Sequence, residues 1–84
     1  MNYSIDILKS AQKQLSKIKG SDQEKIITDI RILSGNPRPF GCKKLRGRDA
    51  WRIRIGDYRV IYEIDDTTAT ILIVAMGHRR EIYR

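Results

Sequence analysis

Residues 51–64, WRIRIGDYRVIYEI, decide the fold. Apolar and polar residues alternate along the first arm, and Gly56-Asp57 separates it from a second apolar arm. A two-residue, glycine-containing link between such runs predicts a β-hairpin. With a two-residue loop, Ile55 faces Tyr58, Arg54 faces Arg59, Ile53 faces Val60 and Arg52 faces Ile61. One face then carries Trp51, Ile53, Ile55, Tyr58, Val60 and Tyr62, enough apolar surface to seat helices. The other carries Arg52, Arg54 and Arg59. Like charges opposed across a ladder repel, so three guanidinium groups gathered there imply an anion between them.

The 84 residues make one domain, 1–84. A chain this short buries only about 60% of its unfolded surface, so its core is thin. Hydrophobic content is 40%, and no apolar run approaches the roughly 20 residues that span a bilayer. The first ten residues, MNYSIDILKS, lack the basic-then-apolar order of a secretory signal. The single cysteine, Cys42, cannot form an internal disulfide, and without an export signal it reads as a reduced thiol. The expectation is a cytoplasmic protein that does not enter membranes.

The formal charge is +7, and its excess lies in two places. Residues 43–59 hold seven basic against two acidic side chains, and residues 77–84 hold three against one. Residues 60–76 hold three acidic side chains and no basic ones. Positive charge concentrated in this way suits a phosphate-bearing partner or an acidic protein.

Outward from the hairpin, residues 2–8 alternate as a first strand, with Tyr3, Ile5 and Ile7 on one side. It can lie at an edge or pair centrally. Leu8, Ala11, Leu15 and Ile18 recur at helical spacing. Gly20 ends that helix, and Ser21-Asp22-Gln23-Glu24 reads as a capping box opening a second. The second helix has Ile26, Ile27, Ile30 and Leu33 as its stripe and stops at Gly35-Asn36-Pro37. Residues 70–76, TILIVAM, are apolar almost throughout, as in a central strand covered on both sides, and Gly77 breaks the run. The fold class is α+β: a small antiparallel sheet with two N-terminal helices on one face. The arginine face is left open or is covered by the C-terminal residues.

The chemistry is bounded by what is missing. One histidine and one cysteine make no zinc set. The carboxylates lack ligand spacing, and there is no phosphate-cradling glycine loop or nucleophilic serine motif. No metal or other cofactor is expected. There remain Arg52, Arg54, Arg59, His78, Arg79 and Tyr83. Arginine clamps phosphate in two-pronged fashion but cannot act as a base. Histidine exchanges a proton near neutral pH. This set suits metal-free RNA cleavage, in which a ribose 2′-hydroxyl attacks its adjacent phosphate. Trp51 and Tyr62 read as core rather than base-stacking platforms.

Three pieces of the chain, LRG at 45–47, WRIRIGDYRVIYEI, and GHRREIY at 77–83, together resemble the RelE branch of the RelE/ParE toxin superfamily. The resemblance covers nearly the whole length. It implies a small twisted antiparallel sheet flanked by two N-terminal helices. It implies the toxin of a type II toxin–antitoxin pair, an endoribonuclease cutting mRNA in the ribosomal A site, silenced by a wrapping RelB-like antitoxin. By position it implies that Arg59 contacts the scissile phosphate, Arg79 stabilises the transition state and Tyr83 stacks on or orients the nucleotide. Arg52 and Arg54 stand where well-known members carry lysine, and His78 where some do. Because arginine cannot exchange a proton, His78, or ribosomal RNA acting with Tyr83, becomes the candidate for proton transfer. Lys43, Lys44, Arg46, Arg48 and Arg80 join Arg52 and Arg54 as expected RNA contacts. The ParE branch shares the fold and inhibits DNA gyrase, which is the alternative function.

Overall fold

The computed structural model describes residues 2–82. The chain runs β1 (Ser4–Ile7), α1 (Lys9–Lys17), α2 (Ser21–Leu33), β2 (Lys43–Lys44), β3 (Trp51–Ile55), β4 (Tyr58–Asp65), β5 (Thr70–His78) and α3 (Arg79–Ile82). The strands form one sheet in the order β1-β5-β4-β3-β2. The β3–β4 hairpin has the register read from its sequence, Ile55 against Tyr58 through Arg52 against Ile61, and extends it to Trp51 against Tyr62. Gly56 has a φ of 60° in the turn, a conformation that costs glycine nothing.

The fold is α+β as expected, with one pairing of the other sense. β1 lies at the edge and runs parallel to β5, Ser4 against Thr70 through Ile7 against Ile73, so the sheet is mixed. The helices between the two strands provide the long crossover that a parallel pair needs. β5 is internal, as its apolar run predicts, but it does not stop at Gly77. It continues to His78, because Gly77 is held in register against Arg59 and His78 against Tyr58.

A bulge between Ile61 and Tyr62 sets β5 against β4: Ile61 faces Ala75, whereas Tyr62 faces Ile73. The extra residue, Val74, corrects the face count. Ile73 and Met76 are three apart, which regular alternation would send to opposite faces, yet both are buried in the same core. That core joins Ala11 and Ile18 with Ile26, Ile30 and Leu33 of α2, and with Ile53, Ile55, Val60, Tyr62, Ile71, Ile73 and Met76 of the sheet. Both helices therefore serve one sheet face. The buried Tyr62 hydroxyl donates to the Pro37 carbonyl at 2.7 Å, anchoring the loop after α2, and burial pushes its phenol upward.

The capping box does not form. Gly20, with a φ of 67°, is the N-cap of α2 and no side chain caps it. The link from α1 is so short that the helix starts at Ser21, which places the serine inside the first turn. The Glu24 amide bonds the Gly20 carbonyl at 3.3 Å instead, and Asp22 and Glu24 still complement the helix dipole.

At the sheet end remote from the hairpin turn, Asp66 gathers three elements. It accepts from Tyr3 at 2.6 Å and from Arg38 at 2.9 and 3.3 Å. Arg38 also lies over the Trp51 ring, 5.1 Å from its centroid. The Arg38 guanidinium, and then the Tyr3 hydroxyl, hold the Asp66 carboxyl below its ordinary range.

Candidate functional site

Ladder registers decide which side chains meet. Lys43 pairs with Arg52, and Arg54 pairs with Arg59, which in turn pairs with Gly77. These rows put Lys43, Arg52, Arg54 and Arg59 on the sheet face opposite the helices, two residues apart along β3 and directly opposed across β4. Gly77 contributes no side chain, so the row through Arg59 is cationic on one flank and bare on the other.

Of the two expectations for that face, open or covered, the structure does not show it fully open. Arg52 and Arg59 each retain only 6% of their accessible surface, whereas Arg54 is exposed. Their neighbours on this face, Ile61 and Gly77, are buried too. α3 packs against β4 and β5. Arg59 donates from Nη1 to the Tyr58 carbonyl at 3.3 Å, which holds its fork close to the sheet. Arg79 opens α3, and its backbone amide donates to the Asp57 carbonyl at 2.8 Å. The hairpin turn thus fixes the start of the segment that carries Arg79 and Arg80, both exposed.

The remaining candidates fall elsewhere. Lys44 pairs with Trp51 and turns to the helix side, reaching Asp49 at 3.5 Å. Arg46 and Arg48 are exposed in the turn between β2 and β3. His78 pairs with Tyr58, a residue of the helix-side face, so it does not join Arg59. Its ring meets the Tyr58 ring edge-on at 5.8 Å, and its Nδ1 accepts from the Arg80 amide at 3.3 Å. Tyr83 lies outside the described residues. Among those described, no three His, Cys, Asp or Glu side chains gather as a metal would require, and no helix is long and apolar enough to cross a membrane.

Sequence reasoning missed two contributors to this end of the sheet. Gly77 reads as a strand breaker but serves as the vacant position beside Arg59. The Asp57 carbonyl anchors Arg79, and a backbone acceptor leaves no mark in composition. A recess of about 430 Å³ on the helix side, walled by Gln14, Lys17, Tyr58, Met76 and His78, was also unforeseen. Only the Tyr58 and His78 walls had a signal, through the hairpin register.

The five-stranded sheet thus carries a cationic row on one face and a C-terminal segment pinned to its hairpin turn. The family described as "ParE toxin of type II toxin-antitoxin system, parDE" matches residues 5–83. The chain belongs to that family, as a RelE-type toxin of the RelE/ParE superfamily. The RelE1 protein of Methanocaldococcus jannaschii is 32% identical over 88 residues, covering 100% of this chain and 98% of its own. Toxin RelG of Mycobacterium tuberculosis is 32% identical over 87 residues, covering 100% and 99%. A chain of the archaeal RelE–RelB complex from Pyrococcus horikoshii superposes with a TM-score of 0.85 at 31% identity, over 96% of this chain and 99% of the other.

Proposed function

We propose that this toxin is a metal-independent endoribonuclease that cuts mRNA in the ribosomal A site, in the cytoplasm. The observation that carries this reading is the row Arg54–Arg59–Gly77, with Arg79 tethered at its end. Two guanidinium groups opposed across a ladder repel by about 1–4 kcal/mol at effective dielectric constants between water and a protein surface. A bound phosphate reverses the sign of that interaction. Arg59, held low against the sheet, grips the scissile phosphate, and Arg54, Arg52 and Lys43 hold its neighbours. Arg79 meets the charge that develops as the 2′-hydroxyl attacks, and Tyr83 orients the nucleotide. The arginines act as clamps and cannot serve as a base, so proton transfer falls to other groups, brought by the ribosome or supplied by Tyr83.

Primer extension on mRNA held in ribosomes tests the reading directly. Cuts in the A-site codon that vanish with Arg59→Ala are expected; intact mRNA with wild-type toxin overturns it. The matching family carries the ParE name, which keeps a gyrase inhibitor as the second reading. A supercoiling assay separates the two.

The partner is a RelB-like antitoxin. Similar toxins are seen in RelE–RelB and RelBE2 complexes. The cationic face calls for acidic residues, and the exposed Phe40 and Ile32 near Arg54 give an amphipathic chain an apolar hold. Steering by these charges makes association faster at low ionic strength.

A further inference from the structure

We propose that the recess beside His78 is a nucleobase pocket that selects the base next to the cleaved phosphate, favouring guanine and uracil over adenine and cytosine. The inference rests on the reading above as an RNA-cleaving toxin and assigns His78 a part in recognition.

Position comes first. Tyr58 and Arg59 are successive residues of β4 and face opposite ways, as do His78 and Gly77 on β5. The recess and the phosphate clamp therefore lie back to back across the sheet end, one strand residue apart. RNA passing over the Gly56–Asp57 turn can leave its phosphate on the arginine face and turn one base to the other. Single-stranded RNA is commonly read in this way, by an unstacked base set against aromatic rings. A volume of about 430 Å³ falls within the range of about 300–1,000 Å³ usual for small-ligand sites. Ile18 and Met76 give the lining apolar members, and the Tyr58 and His78 rings meet edge to face beside them.

Polarity then picks the base. The Gln14 Oε1 is taken by the Met76 amide at 2.8 Å, which turns its NH₂ group into the donor left to a ligand. The His78 Nδ1 accepts from the Arg80 amide, which puts the proton of the neutral ring on Nε2, another donor. Lys17 has only donors. Three side chains from two elements, Gln14 and Lys17 of α1 and His78 of β5, thus offer donors to one small space. A base edge rich in acceptors satisfies them: O6 and N7 of guanine or O4 of uracil. The amino groups of adenine and cytosine meet donors with donors.

Gln14→Glu is the sharpest probe, because a carboxylate still accepts from the Met76 amide while its other oxygen accepts instead of donating. Cleavage mapped over all A-site codons on ribosomes should show, for the wild type, about a tenfold preference for G or U at one nucleotide flanking the cut. Gln14→Glu should erase or invert that preference, and Lys17→Ala should weaken it. Unchanged codon profiles in both variants overturn the pocket while leaving the nuclease reading intact. Absence of any cleavage by the wild type overturns the nuclease reading itself. Binding is read separately with an uncleavable 2′-O-methyl trinucleotide, by the methyl resonance of Met76. A shift with central G or U, about tenfold weaker with central A, supports the pocket. An equal shift with A, or with inorganic phosphate alone, overturns it.

Discussion

Arg54 stands directly opposite Arg59 across the β3–β4 ladder, yet one guanidinium is exposed and the other is almost wholly buried. The sequence makes the two look equivalent, and the sheet gives them different work. The first prediction is that Arg54→Ala keeps or slightly raises the melting temperature, since it relieves repulsion at an exposed position. Arg59→Ala, which empties a buried site of its packed stem, lowers stability by about 1–3 kcal/mol. Both lose cleavage, Arg59→Ala by about 10²–10³ in rate, the usual effect of removing one charge-stabilising group. Thermal melts beside single-turnover cleavage check this; equal melting temperatures for the two variants would contradict the burial argument.

The core makes simpler demands. Tyr62→Phe removes the buried bond to the Pro37 carbonyl and should cost about 1–2 kcal/mol. Urea unfolding measures that cost, with cleavage by the folded fraction unchanged. Ile53→Asp puts a carboxylate into the helix-side core and should abolish the folded state, seen as loss of the cooperative transition.

Acid should act through Asp66. Its carboxyl is held below the ordinary range by Arg38 and Tyr3, so its contribution is full above about pH 3.9, the unperturbed value. It is lost as pH falls through the lower folded-state value. Melts between pH 2 and 7 should show the wild type losing stability at the acid end, and Asp66→Asn losing less there. A parallel decline in both proteins removes Asp66 from the account.

The C-terminal segment separates clamp from scaffold. Removing residues 79–84 leaves every strand and the helix-side core in place. The shortened protein should fold, as judged by a cooperative melt, and cut no mRNA. A cut after Gly77 is a harsher change, since it takes His78 from its pairing with Tyr58. Tyr83→Phe with near-normal rate assigns the ring to stacking; a loss as deep as that of Tyr83→Ala assigns the hydroxyl to the reaction.

What was legible in the sequence was what period two can encode. The hairpin register followed from a two-residue loop and strict alternation, and the register placed Arg54 opposite Arg59. The apolar run of β5 announced an internal strand. Alternation carries no strand direction, so the parallel pairing of β1 could not be read from Tyr3, Ile5 and Ile7. It also cannot count across a bulge, so the face shared by Ile73 and Met76 was hidden at Val74. The burial of Arg52 and Arg59 depends on neighbours across the sheet. His78 seemed to belong with Arg79 by adjacency, whereas its strand partner, Tyr58, decides its side.

The pairing of Ser4 with Thr70 joins strands that lie far apart in the sequence. At about 5–20 residues added per second, Ser4 is made roughly 3–13 s before Thr70 exists to pair with it. The sheet cannot close on itself during that interval, because β1 has only β5 as its ladder partner. A nascent copy therefore carries the hairpin arginines without the strand that completes their row.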